Sequence, residues 1–140
     1  MQNIRFALLG PGNIGNMHAR ILKAASYDLP VSLVSVAGRK EERARATAER
    51  FGAIKHSTNF DEVIQDPEVD ACIIASATVT HHELIKKCIE AGKPVLTEKP
   101  ASMTVCEIED LLATHAQQQR PAAVQVGYQQ RMFPTYRRMK

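Results

Sequence analysis

No stretch of this sequence approaches the roughly 20 consecutive apolar residues that a membrane span needs, and its longest apolar runs are only strand-sized. The N-terminus lacks the charged-then-apolar pattern of an export signal. Cysteine is scarce and odd in number: Cys72, Cys88 and Cys106 lie in apolar or helical settings without C-x-x-C spacing. Reduced thiols and a cytoplasmic location are therefore expected, with no membrane partner. Aromatic residues make up only 5% of the chain, and no aromatic stacking platform or recognition motif is read with the basic tail of Arg131, Arg137, Arg138 and Lys140. That tail reads as a solvated helix face, and no nucleic-acid partner is expected. His18, His56 and His115 are scattered, while His81 and His82 are adjacent and so cannot share a helix face. No metal site follows from such spacing. There is no G-x-S-x-G elbow, and Cys72 in its apolar run reads as an inert core thiol. Repeats, low-complexity tracts and internal linkers are also missing.

What remains is an ordinary globular composition, 44% apolar and 24% charged with net charge +3, in 140 residues. A chain of that length forms one domain and buries about two-thirds of its unfolded surface. Its most informative stretch is Ile4 to Gly15, IRFALLGPGNIG. A short apolar run delivers the chain into Gly10-Pro11-Gly12-Asn13-Ile14-Gly15, and a helical pattern begins at once. At such a joint the first glycine takes a tight turn, and the second has no Cβ to hold a pyrophosphate off the backbone. The third lets helix and strand pack closely. The free amides and positive dipole end of the helix then face the phosphates. Gly10, Gly12, Asn13, Ile14 and Gly15 are accordingly assigned to a dinucleotide's pyrophosphate.

From Asn13 to Ala25, Ile14, Met17, Ile21 and Leu22 recur at helical spacing. Val31 to Ala37 is β-branched and suits a strand covered on both faces. Lys40 to Phe51 reads as a helix stopped by Gly52. Ile54 to His56 reads as a third strand and Asn59 to Gln65 as a short helix. A second half repeats the plan. It has a strand at Ala71 to Ala75, a helix from Thr80 to Glu90 and a strand at Pro94 to Thr97. A helix from Thr104 to about Gln119 and a sixth strand at Ala122 to Gly127 follow. Thr80 with Glu83, and Thr104 with Glu107, have capping-box spacing. Pro134 stands where a further helix can start. Strands alternating with helices predict a doubly wound α/β (Rossmann) fold, a parallel sheet of six strands in order 3-2-1-4-5-6. Its crevice lies where the first and fourth strands end, at Gly10 to Gly15 and Ser76 to His82.

Dinucleotide folds usually place an acid at the end of the second strand for the ribose hydroxyls. Here that end reads Val36-Ala37-Gly38-Arg39-Lys40. An arginine and a lysine can pair with a 2′-phosphate that a carboxylate would repel, so NADP is favoured over NAD. Read more plainly, Arg39 and Lys40 are first-turn surface charges. Ala75, Ser76, Ala77 and His81 line the inner part of the cofactor site, although His81 could equally be a helix-start residue bonded to backbone.

With the glycine turn and the Glu98-Lys99-Pro100 turn together, the chain resembles the nucleotide-binding half of the glucose-fructose oxidoreductase and inositol dehydrogenase family (Gfo/Idh/MocA). The shared segments are G-x-G-x-x-G, Ile74 to Thr78 leading to His81, AGKPVLTEKP from Ala91 to Pro100, and Gly127 to Arg131 with Pro134. The resemblance implies that Lys99 lies beside the nicotinamide and the reacting carbon, partnered by an aspartate and a histidine from a second domain. Lysine chemistry suits that place, since it donates a hydrogen bond to a developing alkoxide or carbonyl oxygen. Glu98 would hold its orientation. Composition alone reads the same turn as a surface salt bridge. Where the family often has Thr-Pro after the fourth strand, this chain has Ser76-Ala77.

The expected division is a dinucleotide-binding domain at 1–130, with 131–140 starting a helix toward a substrate domain that this sequence does not include. The expected function is the NAD(P)-binding domain of an oxidoreductase. It would move a hydride between nicotinamide and a sugar, polyol or related hydroxy/keto carbon, and would be inactive as the isolated chain. Left open are an excised domain, a truncated gene product, or half of a two-chain enzyme completed by a separate substrate-domain chain. Two competing readings are a cofactor-loaded sensing module that docks a partner, and an adenosyl-methionine or CoA binder. The second leaves the E-K-P turn unexplained. Apolar surface around Val124, Val126, Met132 and Phe133 is expected to stay uncovered and to support a two-fold homodimer.

Overall fold

The computed structural model describes residues 2–139. Its strands are β1 (Ile4–Leu9), β2 (Val31–Ala37), β3 (Lys55–Ser57), β4 (Ala71–Ile74), β5 (Val95–Thr97) and β6 (Val124–Val126). Between them run α1 (Asn13–Ala25), α2 (Glu41–Phe51), α3 (Phe60–Gln65), α4 (His81–Glu90) and α5 (Val105–Ala116), with α6 (Pro134–Arg138) closing the chain. The strands form one six-stranded sheet in the order β3-β2-β1-β4-β5-β6, every neighbouring pair parallel, as the alternating pattern predicts. Among the described residues, no helix is long and apolar enough to cross a membrane.

Strand alternation divides β1 between two cores. Leu8 joins Ala19, Leu22, Val36, Ala48 and Phe51 beneath α1 and α2. Ala7 and Leu9 turn the other way and join Ile64, Ile74, Leu84, Ile85 and Ile89 beneath α3, α4 and α5. Both layers are sealed, and Leu8 and Leu9 are each fully buried.

Several element ends differ from the sequence reading. α2 begins at Glu41, β3 sits one residue later than expected, α5 stops at Ala116, and β6 is confined to Val124–Val126. The capping box at Thr104 and Glu107 is present in both directions. The one expected at Thr80 and Glu83 is not. Thr80 ends a 3-10 turn (Thr78–Thr80) in a helical conformation, where its hydroxyl pairs with Ser76 Oγ at 2.7 Å and donates to the Ala77 carbonyl. Glu83 is left to pair with Lys87 one turn on. Pro134 does open a helix, and Lys140 of the basic tail lies outside the described residues.

A row of backbone hydrogen bonds continues past the strands at their C-terminal ends. Gly38 N donates to Ser57 O, Gly10 N to Ala37 O, Ala75 N to Leu9 O, Glu98 N to Ile74 O, and Gly127 N to Thr97 O. These bonds fix the loops of the crevice edge to one another before any ligand is considered.

Candidate functional site

The first loop on that edge is the glycine turn. Gly10 has φ +109°, a conformation that side-chain-bearing residues rarely adopt, and a Cβ there would lie 2.5 Å from Ser76 N. The turn after β1 therefore rests directly on the end of β4. A Cβ on Gly15 would lie 2.0 Å from Gly10 O, so the first turn of α1 packs against the loop that precedes it. Gly12 is different. It is the N-cap of α1, its backbone is extended, no side chain caps the helix, and a Cβ there would meet nothing within 4 Å. Its bareness serves no internal contact and leaves the helix-end amides open to an anion.

Asn16, which the sequence reading did not single out, holds this turn in shape. Its Nδ2 donates to Pro11 O at 3.2 Å and to Gly12 O at 2.9 Å. Thr47 of α2 donates to the Asn16 side-chain oxygen at 3.4 Å. A side-chain amide immediately after the third glycine was the available signal.

A cleft of about 560 Å³ opens beside the turn and brings Gly10, Gly12, Gly38, Arg39, Lys40, Ala75, Ser76 and Ala77 together with Pro11 and Arg43. A second depression of about 630 Å³ takes in Asn13, Ile14, Asn16, Thr47 and Arg50 and shares Pro11, Gly12, Arg43 and Ala75 with the first. Neither is lined by a carboxylate. Arg43, in the first turn of α2, lines the same cleft, so the basic face is larger than the Arg39-Lys40 pair read from sequence.

His81 was expected at the inner wall of the crevice. It is instead 1% exposed, with Nδ1 2.7 Å from Pro100 O and Nε2 3.2 Å from Ser76 O. Carbonyl oxygens face both ring nitrogens, and a neutral ring can donate to only one. The ring braces the end of β4 against the Glu98-Lys99-Pro100 turn from below, which is the plainer of its two readings.

Glu98 also departs from expectation. Its carboxylate accepts from Gln129 Nε2 at 3.2 Å and pairs with His18 Nε2 of α1 at 2.8 Å, both side chains about 15% exposed. It ties the turn after β5 to α1 and to the segment after β6, and does not hold Lys99. The side chain of Lys99 is exposed and, among the described residues, makes no hydrogen bond or ion pair. The Lys99–Pro100 peptide is cis.

Cys72 and Cys88 are buried against each other between β4 and α4, and the hydrogen bond between them together with burial pushes the Cys88 thiol up. Cys106 is exposed on α5.

Comparison with known proteins gives this geometry its relatives. Residues 4–128 match the family model described as "Oxidoreductase family, NAD-binding Rossmann fold". Inositol 2-dehydrogenase 2 of Saccharopolyspora erythraea is 39% identical over 98% of this chain, and scyllo-inositol 2-dehydrogenase (NAD(+)) of Bacillus subtilis is 34% identical over 95%. The chain spans only 40% and 38% of those two proteins. Among solved structures, GenD2 from gentamicin A biosynthesis, in complex with NAD, superposes with TM-score 0.87 at 29% identity over 99% of this chain and 38% of its own. Myo-inositol dehydrogenase from Lactobacillus casei, in complex with NAD(H) and myo-inositol, superposes with TM-score 0.90 at 22% identity over 99% of this chain and 40% of its own, a likeness of fold. A glycine turn open to an anion, on a sheet whose strand order is that of a nucleotide binder, is thus found in a chain that belongs to the Gfo/Idh/MocA oxidoreductase family, of which it carries the NAD-binding Rossmann fold.

Proposed function

We propose that this chain is the cofactor-holding part of an oxidoreductase that moves a hydride between nicotinamide and a sugar, polyol or related hydroxy/keto carbon. The observation that carries the reading is Gly12. Its missing Cβ faces open space at an uncapped helix N-terminus, a vacancy that helps no packing and suits a pyrophosphate. Names among the relatives, several of them inositol dehydrogenases, support a polyol as the substrate class.

In this reading the amides of Gly12, Asn13 and Ile14 receive the phosphates, while Asn16 keeps the turn rigid. Ala75, Ser76 and Ala77 line the inner site at the end of β4. The nicotinamide, when bound, supplies the acceptor or donor of the hydride. Lys99 would donate a hydrogen bond to the substrate oxygen as charge develops on it. His81, Glu98 and His18 set the position of the turn that carries Lys99 without touching the reacting atoms. Because the chain spans about 40% of its relatives, the isolated chain is expected to bind cofactor without turnover, and a second domain or chain to supply the remaining groups.

For the adenosine end we favour NADP. Arg39, Lys40 and Arg43 line the cleft beside Gly38 with no carboxylate among the lining side chains. The names of relatives such as scyllo-inositol 2-dehydrogenase (NAD(+)) bear on the other choice. Calorimetric titration with NADPH, NADH and adenosyl-methionine separates the readings. Tightest binding of NADPH is expected. Stronger NADH binding overturns the cofactor choice, and a chain that binds neither dinucleotide overturns the oxidoreductase reading.

A further inference from the structure

Gly38, immediately after β2, stands where dinucleotide folds usually carry the acid that accepts the ribose hydroxyls. Its backbone is not in the left-handed region, so the main chain itself would accept any residue. The obstacle is a single ring. A Cβ built on Gly38 would lie 2.5 Å from Pro11 Cδ and 2.7 Å from Pro11 Cγ, while the next neighbour, Ala44 Cβ, is at an ordinary 3.9 Å. Real Cβ atoms do not come that close to carbon, and a pyrrolidine ring anchored in its own backbone cannot swing aside as a flexible side chain would. Pro11 is also held in place, because its carbonyl accepts from Asn16 and the residue before it, Gly10, is packed against the end of β4. Gly38 in turn donates its backbone N–H to the carbonyl of Ser57 of β3.

We propose that Pro11 and Gly38 form a coupled pair that sets the choice of dinucleotide: the proline ring fills the volume that a carboxylate-bearing side chain needs at position 38. The cleft therefore cannot take the ribose acceptor, and its charged side chains are Arg39, Lys40 and Arg43. The inference rests on the assignment of this cleft to a dinucleotide's adenosine end. It goes further in placing the determinant in an apolar contact between two loops and not only in the charges. An acid installed at position 38 alone has nowhere to go.

The test uses the 140-residue chain and five forms of it: wild type, Pro11→Ala, Gly38→Ala, Gly38→Asp and the double variant Pro11→Ala/Gly38→Asp. Pro11→Ala removes the two ring atoms in question and leaves a Cβ. Thermal unfolding without nucleotide reads the contact. Gly38→Ala and Gly38→Asp are expected to melt about 5 °C or more below wild type. Adding Pro11→Ala should recover most of the Gly38→Asp loss. Fluorescence titration with NADH and NADPH reads the specificity. The double variant should move the ratio of affinities toward NADH by about tenfold, and Gly38→Ala should leave the ratio unchanged. Gly38 variants as stable as wild type, or a Pro11→Ala change that does not restore them, overturn the steric pair. A double variant that regains stability but keeps the wild-type ratio overturns its role in specificity. A wild-type chain that binds neither dinucleotide overturns the cleft assignment itself, and the melting data then still report separately on the contact.

Discussion

The glycines of the turn do different work, and substitution should separate them. At Gly12 an added Cβ meets nothing within 4 Å, so Gly12→Ala is expected to fold and melt like wild type. It should lose about tenfold or more in dinucleotide affinity, because the methyl stands where the phosphates approach. At Gly15 the same methyl would sit 2.0 Å from Gly10 O, so Gly15→Ala is expected to lower stability by about 2 kcal/mol or more. Melting curves paired with titration check both, and a Gly12→Ala chain that binds normally would count against the phosphate site. The spacing of the glycines made their positions and this division of labour legible in the sequence, but not the atoms that enforce it, the backbone of Ser76 against Gly10 and the carbonyl of Gly10 against Gly15. The same limit explains Asn16, Arg43 and the pairing of His18 with Glu98. Those residues are separated by 80 positions in the last case, and only the fold makes them neighbours.

Helix ends show how far local pattern reaches. Thr104 and Glu107 form a reciprocal cap on α5, and Thr104→Ala is expected to cost about 1 kcal/mol in urea unfolding. Thr80 and Glu83 have the same spacing and form no cap, because Ser76 and the Ala77 carbonyl claim the threonine hydroxyl first. Thr80→Ala should accordingly act on the loop after β4 more than on α4. Strand pairing adds a charge clamp at the seam of β1 and β4. Arg5 grips Asp70 through two side-chain bonds at 2.9 Å, its own amide donates to the same carboxylate at 2.8 Å, and together they hold the Asp70 carboxyl down at about 2. A folded value below the ordinary carboxylate range of about 4 means that the clamp contributes fully above that pH and is lost as pH falls toward 2. Asp70→Asn should therefore lower stability at neutral pH and flatten the loss between pH 4 and 2, as urea unfolding at stepped pH would show.

The sheet as a whole was readable from composition and period, since β-branched runs alternating with amphipathic helices admit few topologies. The apolar surface left bare was legible for three of its four expected residues. Val124 is 37% exposed on the edge strand β6, and Met132 and Phe133 are 69% and 55% exposed nearby, whereas Val126 is drawn onto the core beneath α4 and α5. Self-association through this edge is expected, and Phe133→Asp should weaken it. A sedimentation profile that stays monomeric at high concentration removes that expectation. The row of backbone hydrogen bonds running from Ser57 to Gly127 along the sheet's upper rim has a thermodynamic corollary. A platform already stitched together has little disorder left to surrender when a cofactor settles on it. Deuterium exchange at those rim amides should be slow in the empty protein and scarcely slower in the loaded one.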